Sequence, residues 1–474
     1  MKLTILGGGG VRMPAFVRSV LTGGTHYFDE ICLLEPDQVR RDTTGRLAVE
    51  LAAALGRPGT VTVTPDAAQA LTGADFVFSA LRVGGDRGRV IDEQVALQRG
   101  VVGQETTGPG GFAMAMRTIP VVLSYCELLH QHAPTATLIN FTNPAGMITQ
   151  AISDQGLVRA VGVCDTPGGT IEHLAAFLGG MPAAGASAAD GDVPLNFGYS
   201  GLNHLGWITS AEVNGQNRLG ELLDRFEELQ AYDHRFAAFD PALVRRVGAV
   251  PTEYVFYYYD PERYLRGVAS AGASRGQDIL RLNEEMLTAL GKAFADGDTH
   301  DAWAAYAQLL GVRRDTYMRT DMQGASGQEQ ARVHRAAQDP PTLASTGIGG
   351  YEGLALRVID GLTGKPPATV IVNVPNDGGV IGALDRTDVV EVPSQVTPAG
   401  LAPLPVPDLP RPARALVEQV KEYERAAVLA AMTGDAELAA VALALHPLVP
   451  GSTMARELLA AYREQHGESL AYLT

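Results

Sequence analysis

A run of four glycines between an apolar segment and a helix-like segment constrains the fold of this chain more than any other feature. Leu3–Leu6 is typical of a buried strand, Gly7–Gly10 follow at once, and Pro14–Leu21 has the pattern of a helix with proline in its first turn. A second apolar run, Ile31–Leu34, ends in Glu35. This order is that of a dinucleotide-binding βαβ unit, in which glycines let the backbone approach a pyrophosphate at a helix N-terminus. An ordinary glycine turn remains the alternative, because the spacing is not a strict GxGxxG.

Further strand-like segments continue the same rhythm at 61–64, 75–81, 137–143 and 160–163. Strands that alternate with helices predict a mostly parallel sheet with right-handed crossovers. Ligands bind beyond the carboxyl ends of the strands in such sheets. Arg82, Asn143 and Cys164 stand at strand ends of this kind, so we expect them to share one edge with the glycine turn.

A stretch rich in small residues, 180–192, predicts a surface loop, and we place a domain boundary there. Beyond it, helices are predicted at 218–232, 241–248, 277–294, 300–311 and 410–468, and strands at 368–374 and 389–392. The predicted fold class is α/β, with a Rossmann-like, mostly parallel N-terminal domain (1–185) and a larger mixed α+β C-terminal domain (186–474). The first domain would bind the nucleotide, and the second would carry substrate binding, metal binding and oligomerisation.

The charge and cysteine content restrict the partners of the chain. A formal net charge of −16 over 474 residues argues against nucleic acid and anionic membrane surfaces, although a few local arginines could still hold one phosphate. Three cysteines at wide spacing do not form a disulfide framework, which favours reduced thiols and a cytoplasmic location. No apolar run appears long enough to span a bilayer, so no membrane partner is expected.

Two polar pairs predict a metal site. Cys164-Asp165 ends an apolar strand, and Asn203-His204 lies in a second short motif. Thiolate and imidazole are good ligands for a divalent transition metal, and either Asp165 or Asn203 could complete a site with open positions. The alternative is a buried structural cysteine, since free cysteine is among the most buried residue types.

With these residues in place, the chain resembles glycoside hydrolase family 4, the NAD- and divalent-metal-dependent glycosidases. The resemblance runs from Lys2 to about residue 465 and rests on six motifs. These are Arg82-Val-Gly-Gly85, Gly103-Gln-Glu-Thr-Thr-Gly-Pro-Gly-Gly111, Asn140-Phe-Thr-Asn-Pro-Ala-Gly146, Cys164-Asp165 with Pro167, Asn203-His204, and Tyr254 with Tyr257-Tyr258. The second and third motifs resemble the 6-phospho-β-glucosidase branch. The Rossmann half of the family is in turn similar to lactate and malate dehydrogenases.

The resemblance implies a redox-assisted elimination, which departs from the usual two-carboxylate glycosidase mechanism. NAD⁺ would take hydride from C3 of a 6-phospho-β-glucoside, the C2 proton would become acidic, and the C1 aglycone would leave. Water would then add at C1 and the hydride would return. Expected substrates are phosphorylated disaccharides or aryl glucosides, and the expected metal is Mn²⁺, although Fe²⁺, Co²⁺ and Ni²⁺ also suit mixed S/N/O ligands.

The resemblance also assigns roles residue by residue. It implies Cys164 and His204 as metal ligands, Tyr254 as the base and Asp165 as the acid. It implies Arg89, Asn143, Asn203 and Arg275 as substrate-binding residues. The cofactor-binding residues expected from the βαβ pattern are Gly7, Gly8, Gly9, Gly10 and Glu35, and Arg82 is expected to line the nicotinamide pocket. Glu35 would bind the adenosine ribose and disfavour a 2′-phosphate. The role of Glu105, near the cofactor or behind the site, stays open.

Three alternatives remain open from the sequence. Asp165 departs from the Asn common in phospho-β-glucosidases and matches the phospho-α-glucosidase branch, so a 6-phospho-α-glucosidase is the first alternative. An NAD-dependent hydroxy-acid dehydrogenase is the second, although such enzymes are shorter and need no Cys/His metal pair. A non-catalytic NAD-binding sensor is the third. A homodimer or homotetramer is the assembly that the family resemblance implies.

Overall fold

The computed structural model describes residues 1–23, 28–179, 197–297, 299–315 and 350–474. Thirteen strands form one sheet, whose main path has the order β10-β8-β7-β12-β11-β6-β5-β4-β1-β2-β3. The strands are β1 Lys2–Leu6, β2 Glu30–Leu34, β3 Val61–Thr64, β4 Phe76–Ser79, β5 Thr137–Asn140, β6 Arg159–Gly162, β7 Phe197–Leu202, β8 Leu205–Val213, β9 Gln216–Asn217, β10 Val250–Pro251, β11 Ala368–Pro375, β12 Val389–Thr397 and β13 Gly400–Pro403.

The first six strands form a parallel half-sheet in the order 3-2-1-4-5-6, which is the Rossmann order. Their short apolar runs are buried because helices cover both faces, as a parallel sheet requires. These helices are Met13–Thr22, Gln38–Arg40, Arg46–Ala54, Ala67–Leu71, Gly85–Leu97, Pro109–His132, Ala145–Gln155 and Thr166–Phe177. The Rossmann-like prediction is therefore confirmed.

The remaining strands extend the same sheet in antiparallel fashion. Strand β11 pairs with β6 at Asn373 and Gly162, and β12 pairs with β7 at Glu391 and Gly201. The carboxyl end of β6 therefore lies directly beside the second half of the chain. The predicted boundary at 185/186 lies outside the described residues and stays a prediction.

The C-terminal helices agree with the predicted segments, with two corrections. The helix predicted at 218–232 is two helices that meet at Arg225, and the section predicted at 410–468 is three, with turns at Gly434 and near Gly451. Glycine allows these turns because both residues have positive φ, 78° and 89°. The helices are Leu219–Asp224, Phe226–Tyr232, Pro241–Val247, Phe256–Tyr259, Pro261–Ala271, Arg275–Ala295, Thr299–Asp315, Gly350–Leu362, Arg411–Thr433, Ala436–Leu445 and Ser452–His466.

One helix corrects the expectation that no apolar run reaches bilayer length. Pro109–His132 has 24 residues and is long and apolar enough, by length and composition, to cross a membrane. Its apolar window is 61% buried inside the protein, where it packs against Gly85–Leu97 and Arg411–Thr433. A helix that is covered on most sides by its own core has the same composition as a membrane helix, which explains the wrong prediction.

Candidate active site

A cavity of about 560 Å³ lies at the carboxyl ends of β4, β5 and β6, where the two halves of the sheet meet. Its other walls come from the β7–β8 turn, the segment around Tyr254 and the start of helix Arg275–Ala295. Eight predicted site residues line it together: Arg82, Arg89, Asn143, Cys164, Asp165, His204, Tyr254 and Arg275. The sheet edge thus gathers residues that are up to 193 positions apart in sequence.

Cys164 and Asp165 occupy the tight connection between β6 and the helix Thr166–Phe177. Asp165 is the residue before the first helical turn, and Pro167 lies in that turn, where its missing N–H costs nothing. Cys164 is buried, and burial raises the pKa of its thiol, with the nearby carboxylates of Glu391 and Asp165 acting in the same direction. The thiol is therefore protonated in the structure as it stands, and a bound cation would be needed to displace the proton.

His204 projects from the two-residue turn between β7 and β8, where Leu202 pairs with Leu205. Its φ of 61° is in the left-handed region, which few residues other than glycine adopt. The ring is buried, and burial lowers its pKa to about 4, so the imidazole is neutral at pH 7. Nδ1 lies 2.7 Å from Thr106 Oγ1, and the ring stacks on Tyr254.

The donor set fits a divalent metal with open coordination positions. Cys164 and His204 line the same cavity and offer one sulfur and one nitrogen ligand. Within the described ranges, no group of three or more His, Cys, Asp and Glu side chains could hold an ion by itself. An ion at Cys164 and His204 would therefore depend on oxygen atoms from substrate or water for its remaining positions.

One buried carboxylate, Glu93, links the helix that carries Arg89 to the start of the helix that carries Arg275. Arg89 Nε donates to Glu93 Oε1 at 2.7 Å, and the backbone N–H of Gly276 donates to Glu93 Oε2 at 2.6 Å. Gly276 follows Arg275 in the first turn of its helix, which begins with a capping box formed by Ser274 and Gln277. Glu93 thus brings two helices that are far apart in sequence to one wall of the cavity.

Sequence reasoning missed four further arginines that line the cavity, Arg12, Arg235, Arg313 and Arg357. Burial, together with the positive charges of Arg12, Arg82 and Arg89, lowers the pKa of Arg313 to about 9. Glu105 partly balances this charge, because its carboxylate accepts from Arg82 at 3.0 Å and lies 2.6 Å from Arg89 Nη1. These two arginines lower the pKa of Glu105 to about 2, against the opposite effect of burial. The wall is therefore strongly cationic within an acidic protein.

The predicted nucleotide loop and Glu35 lie together beside β1 and β2. Glu35 Oε2 accepts from the Gly9 backbone N–H at 3.0 Å, and Oε1 accepts from Asp37 N–H at 3.0 Å. A Cβ on Gly9 would lie only 2.6 Å from Glu35 Cγ, so glycine is required for this approach. Burial raises the pKa of Glu35, and the two backbone donors oppose that shift. The predicted role of Gly7, Gly8, Gly9 and Gly10 with Glu35 stays a prediction.

Asn203 does not lie among the residues that line the cavity. Its Nδ2 donates to Glu391 Oε1 at 3.1 Å, and Asn373 and Tyr199 donate to the same buried carboxylate. Burial raises the pKa of Glu391 to about 7. In the structure, the hydrogen bond from Asn203 to Glu391 holds the β7–β8 turn. The predicted role of Asn203 in binding substrate stays a prediction.

The parallel half-sheet with its glycine loop places the chain in the Rossmann-like α/β class, with a thiol, an imidazole and a phenol in the adjoining cavity. The chain belongs to the family 4 glycosyl hydrolases. The family 4 glycosyl hydrolase model matches residues 2–180, and the model of the family's C-terminal domain matches residues 199–449.

Individual relatives extend over nearly the whole chain. A Bacillus subtilis (strain 168) protein named "Probable 6-phospho-beta-glucosidase" is 28% identical over 98% of this chain and 96% of its own. A 6-phospho-alpha-glucosidase from gut microorganisms, solved with NAD and glucose-6-phosphate, is 24% identical with a TM-score of 0.78, covering 98% and 97% of the two chains. The Thermotoga maritima 6-phospho-beta glucosidase, solved with manganese, NAD⁺ and glucose-6-phosphate, is 23% identical with a TM-score of 0.75, covering 98% of each. The cofactors expected from the sequence are those bound in these related structures.

Proposed function

We propose that this protein hydrolyses the O-glycosidic bond of 6-phospho-β-glucosides and requires NAD⁺ and a divalent metal, with Mn²⁺ preferred. The observation that carries the proposal is the convergence of Cys164, His204 and Tyr254 on one cavity with a cationic arginine wall. A hydroxy-acid dehydrogenase would need one arginine for a carboxylate and would not need the thiol-imidazole pair. Relatives that bind NAD, manganese and glucose-6-phosphate support the same conclusion.

The arginine wall suits a phosphate dianion. Arg89, Arg275 and Arg313 line the cavity. Burial lowers the pKa of Arg313, and repulsion from Arg12, Arg82 and Arg89 acts in the same direction. A bound dianion would relieve this repulsion and accept charged hydrogen bonds in the planar geometry that guanidinium groups favour. Asn143, which lines the same cavity at the end of the β5 segment, would add an amide donor.

The chemistry at the other end of the cavity follows from three side chains. When bound, NAD⁺ supplies a hydride acceptor for C3 and the divalent ion supplies positive charge at the C2 and C3 oxygens. Cys164 and His204 hold that charge beside Tyr254, whose phenolate takes the C2 proton. Asp165, adjacent to the metal ligand, donates a proton to the departing C1 oxygen and later deprotonates the incoming water.

The β linkage is the first candidate, and the α linkage is the second. Glu105 and its neighbours repeat the phospho-β-glucosidase motif Gly103–Gly111, whereas Asp165 matches the phospho-α-glucosidase branch. Relatives with both names cover nearly the whole chain. When water adds at C1, Tyr254 returns the proton to C2 and the hydride returns to C3, so that base and NAD⁺ are regenerated. Because the leaving group departs after the C2 proton is removed, the chemistry constrains the anomer less than direct displacement would.

The decisive experiment measures aryl release from paired aryl 6-phospho-β- and 6-phospho-α-glucosides. We expect release from the β anomer only when NAD⁺ and Mn²⁺ are both present, without net accumulation of NADH. The unphosphorylated aryl glucoside is the control that tests phosphate recognition by the arginine wall. Deuterium at C2 or C3 of the substrate should slow turnover. Steady NADH formation from a hydroxy acid without glycosidic cleavage would establish the dehydrogenase instead, and faster release from the α anomer would reverse the linkage.

The proposal includes a cytoplasmic location, because a phosphorylated sugar would be met inside the cell. It also includes a homodimeric or homotetrameric assembly, which the family resemblance implies. Light scattering of the purified chain measures the assembly, and fractionation of the native cells measures the location. A monomer at micromolar concentration would contradict the proposed assembly.

A further inference from the structure

A chain of hydrogen bonds leads from the imidazole of His204 into the loop before helix Pro109–His132. His204 Nδ1 lies 2.7 Å from Thr106 Oγ1, and Thr106 Oγ1 lies 2.9 Å from Gln104 Oε1. Gln104 Oε1 also accepts from the backbone N–H groups of Thr106 and Thr107, each at 2.7 Å. Three groups therefore converge on one side-chain oxygen.

The direction of each of these hydrogen bonds follows from which groups can donate a proton. Two backbone N–H groups can only donate, so the atom of Gln104 that meets them must be its carbonyl oxygen. That oxygen has no proton, and the Thr106 hydroxyl must therefore donate to it. Because a hydroxyl has a single proton, Thr106 Oγ1 is left as the acceptor toward His204. Nδ1 of His204 thus carries the ring proton, and Nε2 presents a lone pair.

The backbone holds this loop in place. Gly110 and Gly111 lie so close to the loop that an added Cβ would be 2.2 Å from the Gln104 carbonyl oxygen or 2.3 Å from that of Thr106. Only glycine permits these contacts, which accounts for the glycines of the 103–111 motif. The orientation of the imidazole is also restricted by packing, because the ring of Tyr254 lies parallel to that of His204.

We propose that Thr106, held by Gln104, is a positioning residue that fixes His204 in the Nδ1-protonated tautomer and thereby sets the metal affinity of the site. The inference rests on the proposed function in so far as His204 binds a metal. Partners that hold the second nitrogen of a histidine ligand orient the ring, fix its tautomer and raise its basicity. Thr106 and Gln104 would contribute without touching metal or substrate.

The test compares Thr106→Val with Thr106→Ser in the full-length protein. Valine has the shape of threonine without the hydroxyl, and serine keeps the hydroxyl. Calorimetric titration with Mn²⁺ should give about 10- to 100-fold weaker binding for the valine variant and near-parental binding for the serine variant. Co²⁺ titration should still produce the thiolate charge-transfer band in both, because Cys164 is untouched. Equal Mn²⁺ affinity in parent and T106V would overturn the proposal.

A second measurement reads the tautomer without any metal. Long-range ¹H–¹⁵N correlation of the metal-free protein, with the His204 signals identified by their loss in His204→Gln, should show a protonated Nδ1 in the parent. T106V should show a mixture of tautomers or the Nε2-protonated form. An Nε2-protonated ring in the parent would refute the relay. If the parent has the expected tautomer but Mn²⁺ binding is independent of Cys164 and His204, the relay stands and the proposed metal site fails.

Discussion

The rings of His204 and Tyr254 lie parallel, with 3.8 Å between their centroids and 1° between their planes. Fifty residues separate them in sequence, and they meet because the β7–β8 turn faces the segment that follows β10. A cation beside a phenol favours the phenolate form. The contact therefore sets the proposed base next to the proposed metal ligand.

Replacement of Tyr254 by phenylalanine tests this role. The stacked ring remains, so metal and cofactor binding should persist, but the hydroxyl proposed to remove the C2 proton is lost. We expect kcat for aryl release to fall by about 100- to 10,000-fold with little change in the Mn²⁺ dissociation constant. Steady-state kinetics and Mn²⁺ titration measure the two effects.

Tyr257→Phe is the matched control, since Tyr257 lines the same cavity and also loses only a hydroxyl. Its kcat should stay far above that of the Tyr254 variant. Comparable losses in the two variants would assign the effect to the polarity of the wall and remove Tyr254 from the mechanism.

Much of the site could be predicted because strand ends converge in a parallel sheet. Cys164, Arg82 and Asn143 follow apolar runs that form β6, β4 and β5, so their meeting at one edge follows from the fold class. The strands themselves could be predicted because their buried residues form continuous apolar runs.

The contacts that could not be predicted depend on side-chain directions and on distant packing. Arg12 and Arg313 line one cavity although they are 301 positions apart, and no local pattern marks either of them. Asn203 is predicted to bind substrate beside the metal ligand His204, whereas the turn directs its amide to Glu391. Thr106 lay in a recognised motif, but its contact with His204 depends on the position of the β7–β8 turn.

Arg275→Gln should weaken recognition of the phosphate. Arg275 is buried on the cationic wall, where one charged hydrogen bond contributes about 1.5–3 kcal/mol. KM for the phosphorylated aryl glucoside should therefore rise about 10- to 100-fold. The exposed Arg87, on the outer face of the helix that carries Arg89, provides the control Arg87→Gln, whose KM should not change. If R275Q preferred the phosphorylated over the unphosphorylated substrate as strongly as the parent does, the assignment of Arg275 to the phosphate would be wrong.

Asp360 provides a stability prediction away from the site. Partial burial raises its pKa to about 6, opposed by the charge of Arg357. The folded-state pKa is thus above the unfolded value, so its contribution to stability is complete below about pH 4 and is lost as the pH rises through 6. Asp360→Asn should raise the free energy of unfolding at pH 8 by on the order of 1 kcal/mol, reduced by the hydration of a partly exposed side chain.

Urea unfolding at pH 5 and pH 8 measures this difference for Asp360. The gain at pH 8 should exceed the gain at pH 5, and Asp377→Asn, at an exposed position, should show no such dependence. A gain that is the same at both values would mean that the substitution acts through packing and not through the carboxylate charge.

Glu35 should control the choice between NAD⁺ and NADP⁺. Its carboxylate is fixed beside the glycine loop by the N–H groups of Gly9 and Asp37, so it cannot turn away from a ribose bound there. A 2′-phosphate would meet this negative charge, whereas ribose hydroxyls could donate to it.

In Glu35→Ser the repulsion is absent and Arg40, whose Nη1 lies 3.5 Å from the Gly9 carbonyl oxygen, remains near the loop. We expect the ratio of the NADP⁺ and NAD⁺ dissociation constants to fall about 10- to 100-fold, measured by calorimetry. Glu30→Ser, at the exposed start of the same strand, should leave the ratio unchanged, and an unchanged ratio in E35S would place the adenosine ribose elsewhere.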